Sequence, residues 1–267
     1  MRSIARTSSL WPKALCAAAL ALTAAGSALS QNAAAPVQSQ AEAREILMRM
    51  AAYLGGAQAY SVSLRAGYDV MQKSGQKVEF NETRKIILAR PDKLRVEIER
   101  SDGTKTLVVF NGKEIVLVDA ARNVYATSRQ PGSIDDSVVY FVKDLGMRLP
   151  LGVMLMSRMP AEFEARVKTI DYVEKTSILG APAHHLAARG DGIDFQVWVA
   201  DGGSPVPLRV VITYRKSRGQ PQFWAQFSDW NLAPAITDAT FTAQVPAGAQ
   251  KIGFAAQLPR AAKKGTK

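Results

Sequence analysis

The feature that most constrains this chain is a two-residue alternation of apolar and polar side chains, repeated in short runs between residues 184 and 231. In residues 192–200, Ile193, Phe195, Val197 and Val199 fall on one side of an extended chain, and Asp194, Gln196 and Trp198 on the other. After Asp201-Gly202-Gly203-Ser204-Pro205, the residues Leu208, Val210, Ile212 and Tyr214 alternate with Arg209, Val211, Thr213 and Arg215. A third run, beyond the turn Lys216-Ser217-Arg218-Gly219-Gln220-Pro221, sets Phe223, Ala225 and Phe227 against Trp224, Gln226 and Ser228. Turns this short join antiparallel neighbours, so the stretch is expected to be a meander with one apolar face.

The same pattern recurs upstream. Val62, Leu64, Ala66, Tyr68 and Val70 alternate through residues 60–71, and Lys73-Ser74-Gly75-Gln76 turns the chain onto residues 78–89. Leu94, Val96 and Ile98 alternate with Arg95, Glu97 and Glu99; Ser101-Asp102-Gly103 and Asn111-Gly112 supply further turns, and residues 115–118 and 124–127 complete this half. Residues 167–175 and 183–188 then lead into the meander. No stretch offers the long helical crossover that a parallel sheet requires. The expected class is mainly β with helices (α+β), as one continuous antiparallel domain.

Two segments break the β pattern with helical periodicity. Ile46, Leu47, Met50, Tyr53 and Leu54 share one face before Gly55-Gly56, with Ser39 and Glu42 at capping-box spacing. Ser133 and Asp136 resemble a second cap, followed by Val138, Val139, Phe141, Val142 and Leu145 and a stop near Gly146. Residues 151–159 are then almost wholly apolar, and Met147, Met154, Met156 and Met159 place four of the eight methionines within thirteen residues. Methionine is unbranched and fits irregular shapes. Such a segment either fills a core or forms a lid over an apolar ligand.

The termini carry different signals. Arg2, Arg6 and Lys13 precede an apolar run over residues 14–25, and Ala28-Leu29-Ser30 supplies small residues for cleavage before Gln31. This is the pattern of a secretory signal, and the run is shorter than the ~20 apolar residues of a membrane span. The reading is therefore residues 1–30 as signal peptide, 31–40 as disordered linker, 41–255 as a single domain and 256–267 as a basic disordered tail. The lone cysteine, Cys16, lies inside the signal, so the exported chain has no thiol for disulfides, nucleophilic catalysis or metal binding. Lys13 and Leu15 do not fit a lipidation signal. The formal charge of +11 falls by three with the signal's cations. What remains is dispersed among acids, except for Arg260, Lys263, Lys264 and Lys267 in the tail, and permits transient contact with an anionic membrane surface.

Catalytic constellations are sparse. The two histidines, His184 and His185, are adjacent and so point to opposite faces of a strand, where they cannot share a metal. Either could act as a general base; the plainer expectation is one hydrogen-bonded at the core edge and one in solvent. Asp92 and Asp135-Asp136 sit where turns and caps favour acids. No nucleophile elbow, zinc motif, phosphate loop or dinucleotide fingerprint occurs. No metal or cofactor is expected. Trp198, Trp224 and Trp230 suggest a stacking platform, but export removes the chain from intracellular nucleic acid.

Several segments carry a family resemblance. They are Ala183-His184-His185-Leu186-Ala187, Asp194-Phe195-Gln196-Val197-Trp198-Val199, Asp201 with Pro205 and Pro207, Ser228-Asp229-Trp230-Asn231, Phe241 with Pro246 and Gly248, and Arg90-Pro91-Asp92-Lys93-Leu94-Arg95. Over residues 46–254 the chain resembles a family of predicted periplasmic bacterial proteins, itself similar to the superfamily of the lipoprotein carrier LolA and the acceptor LolB. That resemblance implies an unclosed antiparallel β-barrel of about eleven strands with helices covering the concave face. It also implies an apolar cavity for lipid-like groups and no catalytic residues.

The leading expectation is a periplasmic, non-enzymatic binding or carrier protein for a lipid, a lipoprotein acyl chain or another hydrophobic ligand. Its cavity would be lined by Phe195, Ile212, Tyr214, Phe223 and Phe227 and covered by Met154 and Met156. At ~0.8 kcal/mol per buried methylene, a chain of about 16 carbons gains roughly 12 kcal/mol before ordering costs, with no catalytic group needed. Two other readings stand beside it. One is an envelope regulatory or scaffolding module that senses lipoproteins or docks a protein partner; the other is a hydrolase using His184 or His185.

Overall fold

The computed structural model describes residues 37–254. The expected signal peptide, the linker as far as Pro36 and the basic tail lie outside the described residues. The chain begins with helix α1 (Val37–Gly56) and continues as a meander: β1 (Ala59–Met71), β2 (Lys77–Ala89), β3 (Lys93–Arg100), β4 (Lys105–Phe110), β5 (Glu114–Asp119) and β6 (Val124–Arg129). Helix α2 (Ile134–Lys143), a 3-10 turn (Gly152–Leu155) and helix α3 (Met159–Arg166) follow. A second meander contains β7 (Thr169–Ile178), β8 (Ala181–Arg189), β9 (Ile193–Ala200), β10 (Pro207–Tyr214) and β11 (Gln222–Asn231). A 3-10 turn (Asp238–Phe241) and β12 (Gln250–Lys251) complete it.

All twelve strands join one sheet in the order β12-β6-β5-β4-β3-β2-β1-β11-β10-β9-β8-β7. Eleven are antiparallel, as expected. The twelfth is a two-residue strand lying parallel to β6, too short for alternation to reveal. β1 joins the meanders by pairing with β2 and β11, and the two end strands, β12 and β7, do not pair. The sheet is thus unclosed.

This topology makes a cover unavoidable. Residues 130–168 connect β6 to β7 and must cross the whole sheet, and they carry α2, the methionine-rich stretch and α3 over its inner face. Alternation supplies what they bury: Val62, Leu64 and Ala66 of β1, Leu94 and Val96 of β3, Val197 and Val199 of β9 and Phe223, Ala225 and Phe227 of β11 all lie in the core. α1 adds Ala43, Ile46, Leu47, Met50, Ala51 and Leu54, a stripe at helical intervals. This helix starts at Val37, so residues 37–40 are helical instead of linker, and Ser39 lies inside the helix. Val37-Gln38-Ser39-Gln40 contains no glycine or proline to halt the helix there. At α2 the anticipated cap is present: Ser133 Oγ accepts from Asp136 N (3.2 Å) and Asp136 Oδ2 accepts from Ser133 N (3.0 Å).

A buried clasp fixes the height of the cover. The Arg90 side chain, 8% exposed, donates from Nε to Ala57 O (3.1 Å), from Nη1 to Leu155 O (3.0 Å) and from Nη2 to Leu54 O (3.4 Å). Its guanidinium lies 3.9 Å from Asp135 in the first turn of α2. Burial lowers the guanidinium's pKa from its ordinary value, and Tyr60 and Asp135 oppose that shift. Asp135 in turn accepts from Ser157 N (2.7 Å), Ser157 Oγ (2.9 Å) and Arg158 N (3.3 Å). Buried Tyr60 donates to Met154 O (3.2 Å). α1 and the cover approach so closely that a Cβ at Gly55 would stand 2.6 Å from Ser157 O.

The outer face is also occupied. Arg95 Nη1 donates to Thr240 O (3.3 Å), which brings the 3-10 turn over β3, and Phe241 there is buried. The chain then rounds the β6 edge, where Gln250 N bonds Asn123 O and Ile252 N bonds Tyr125 O, and Phe254 meets Phe141 of α2 edge-on at 6.5 Å. Further along this face Trp224 lies over Gly67, where a Cβ would come within 2.4 Å of the indole nitrogen.

Substitutions at two positions test this packing. Gly67→Ala displaces the Trp224 ring and should lower stability by about 1–3 kcal/mol, read as a lower urea midpoint. Arg90→Met leaves Asp135 without its cation and three carbonyls without their donor, and should cost about 3–5 kcal/mol in the same assay. Arg90→Lys keeps the charge but not the planar fork, so it should recover only part of that loss.

Candidate functional site

A cavity of about 530 Å³ lies between the inner face and the cover, within the ~300–1,000 Å³ of small-molecule pockets. Its floor is Ile193, Phe195 and Val197 of β9 with Val210 and Ile212 of β10. Leu47 and Met50 of α1 and Val138, Val139 and Val142 of α2 form walls, and residues 149–156 form the roof. Phe163 of α3 stacks on Phe195, with ring centroids 6.0 Å apart and planes 16° apart. Ile193 and Phe195 are only half-buried, whereas Val197 and Val199 further along the same strand are buried. Inward-facing apolar groups on β9 are thus left partly uncovered beside the cavity. Charge enters the lining only through Lys143, Arg166, Lys168 and Asp191.

Of the seven expected lining residues, Met154, Met156, Phe195 and Ile212 come together here. Tyr214, Phe223 and Phe227 do not line this space. Phe223 and Phe227 are buried in the main core, where Phe227 stacks on Trp230 (5.7 Å) and Trp230 tilts against Tyr60 (5.6 Å). Tyr214 is half-buried at the core's margin, and burial raises its phenol pKa. All three face inward as alternation required, but over β11 and the end of β10 the space above is already filled. The walls on α1 and α2 went unassigned, although both helices were legible. Phe163 belongs to a helix that periodicity did not disclose, eight residues long with Pro160 in its first turn.

The histidines occupy opposite faces, as their adjacency requires, but neither stands in solvent. Their side chains are 15% and 11% exposed. His184 Nδ1 lies 3.1 Å from Tyr172 Oη and Nε2 lies 3.1 Å from Asp201 Oδ1. The Asp201 carboxylate accepts, so Nε2 donates to it, and the other ring nitrogen is paired with the phenol. Lys175 Nζ, 2.7 Å from Asp201 Oδ2, holds that carboxyl below its usual pKa and is itself raised by it. Burial raises the Tyr172 phenol, the wrong direction for an activated nucleophile. On the outer face His185 stacks flat on Trp198 (4.0 Å, 10°), with Nε2 2.9 Å from Gln196 Oε1 and Nδ1 3.6 Å from Glu174. Arg209 lies between Trp198 and Trp224, 5.7 and 5.3 Å from their ring centroids, so indole faces proposed as stacking surfaces are used within the protein.

Among the described residues no three His, Cys, Asp or Glu side chains are grouped to hold a metal ion. No helix among them is long and apolar enough to cross a membrane. What the cavity's lining can do is enclose an apolar group, with charge confined to four residues.

Among solved structures, the chain is similar to a conserved protein of Thermus thermophilus (14% identity, TM-score 0.47, covering 79% of this chain and 99% of that one). It is similar to LprF of Mycobacterium bovis (14%, 0.44, 78% and 98%) and to a LolA superfamily protein of Nitrosomonas europaea (13%, 0.40, 75% and 97%). No curated protein matches the chain. A family model matches residues 43–255, which hold the sheet, the helical cover and the cavity between them, and by that match the chain belongs to the family described as predicted periplasmic protein (DUF2092).

Proposed function

We propose that this protein is a periplasmic, non-enzymatic binding protein that shelters the apolar part of a lipid-like ligand between β9 and β10 and the helical cover. The observation that supports this reading is the cavity itself: about 530 Å³, bounded almost entirely by aliphatic and aromatic side chains. Transfer of hydrocarbon from water into such a space is favourable without directional contacts, and two methionines in the roof adapt to chains of differing shape. Met154, Met156, Phe195 and Ile212 are the contacts assigned to the ligand. In this reading residues 1–30 direct export and are removed before Gln31, residues 41–255 are the ligand-binding domain, and the basic tail follows. Uptake and delivery then require only transient contact with a membrane surface or a second envelope protein.

The test is native mass spectrometry of protein purified from the periplasm, compared with Val210→Trp, which fills the cavity from its floor. The expected result is an apolar adduct on the natural protein, extractable into organic solvent, and occupancy reduced at least about tenfold in the variant, equivalent to ~1.4 kcal/mol of lost affinity. A natural protein that carries no adduct and takes up no lipid in vitro contradicts the proposal. If Val210→Trp loses its ligand yet complements a deletion while retaining a stoichiometric envelope protein, the docking role takes precedence over carriage.

A further inference from the structure

The mouth of the cavity has a chemistry that apolar binding alone does not use. Lys143 ends α2, Arg166 ends α3, and Lys168 lies two residues on, just before β7; two separate segments thus bring three cations to one lining. A cation in the last turn of a helix is favoured by the helix dipole, which accounts for a basic residue at 143 and at 166 taken singly. The dipole does not place Lys168, which belongs to no helix. Nor does it explain why both helix ends open on the same apolar space.

The nearby carboxylates do not neutralise the mouth. Arg166 pairs with Glu162, which also accepts from Arg158 Nε (2.9 Å). Lys168 lies 3.9 Å from Asp191, but that carboxylate is closer to Lys216 (3.1 Å), whose hydrogen bond holds it below the usual range and ionised. No ion pair or hydrogen bond from the Lys143 ammonium is present among the described residues. An apolar interior rejects a charge, so a ligand with one ionised end must leave that end at the opening.

We infer that the ligand is an anionic amphiphile, an acyl chain ending in a carboxylate or phosphate, whose chain fills the cavity while Lys143, Arg166 and Lys168 meet its head at the mouth. The inference rests on the apolar-binding reading above and adds the sign of the head group to it. The three cations are exposed, so their combined effect is modest and salt-sensitive.

The experiment measures affinities of the delipidated exported chain for hexadecanoate, hexadecyl phosphate and hexadecanol, by displacement of the neutral fluorophore N-phenyl-1-naphthylamine. At low ionic strength both anions should bind about tenfold more tightly than the alcohol, and the gap should shrink as salt rises. In K143Q/R166Q/K168Q the anions and the alcohol should come within about twofold of one another, with the urea midpoint confirming a folded variant. The better of the two anions tells a free fatty acid from a phospholipid head. Equal binding of all three ligands by the natural protein, or a gap that survives both salt and the triple substitution, overturns the inference while leaving apolar binding intact. Failure of all three to bind removes both.

Discussion

A buried guanidinium governs this architecture. The last carbonyls of a helix have no partner within it, and those at the end of α1 lie under the cover, away from water. Arg90 answers that need with a planar set of donors that reaches Leu54 and Ala57 on one side and Leu155 on the other. A cation placed there requires an anion, and Asp135 supplies it from α2 while its oxygens hold Ser157 and Arg158. One interaction therefore joins the sheet, two helices and the cover. Buried ion pairs are weak sources of net stability, since desolvation offsets much of their attraction. Their stronger contribution is to permit only one arrangement, here a fixed spacing between roof and floor.

That spacing explains where the cavity lies. Near Arg90 the roof is drawn down until Gly55 touches the cover backbone, and Leu64, Leu88 and Met159 below it are fully buried. Toward β9 and β10 nothing comparable pulls the chain inward. The roof is there a linker and a short 3-10 turn, and its side chains do not reach all of the sheet. The opening lies where the strap that crosses from β6 to β7 runs on beyond its buried anchorage at Arg90 and Tyr60.

The sheet was legible in the sequence to the level of individual faces. Phe195, Ile212, Phe223 and Phe227 all point inward, as alternation requires, yet only the first two border the cavity. Period-two patterning reports which side of a strand a residue takes and contains no term for the distance to the opposite layer. For the same reason the histidines fell on the expected opposite faces while their exposure was misjudged. His185 is hidden by Trp198, a neighbour brought alongside by the β8–β9 register. The basic mouth was illegible too: Arg166 and Lys168 are near neighbours in the chain, but only the path of the chain brings Lys143 to them. Helix α3 and β12 were missed because eight residues with a proline near the start, and two residues, are too short to display a period.

The placement of the clasp also sets apart the ends of the helices that it holds from the ends that border the cavity. α2 begins at the capped end that contains Asp135, and α3 begins directly after Ser157 and Arg158, which Asp135 holds. Both helices are thus tethered to the Arg90 network by their N-terminal ends. Their C-terminal ends, with Lys143 and Arg166, lie at the mouth, where the ties are dispersed: Tyr140 Oη bonds Ser128 Oγ (2.8 Å), Glu164 pairs with Arg44 (3.5 Å), Lys168 N donates to Arg189 O (2.8 Å), Phe141 meets Phe254, and Phe163 stacks on Phe195. Aromatic contacts of this sort each contribute about 0.5–1.5 kcal/mol beyond burial, well below the ~3–5 kcal/mol set by breaking a buried ion pair. Each of the ties at the mouth is individually weaker than the clasp, so the cover is anchored most firmly where α2 and α3 begin.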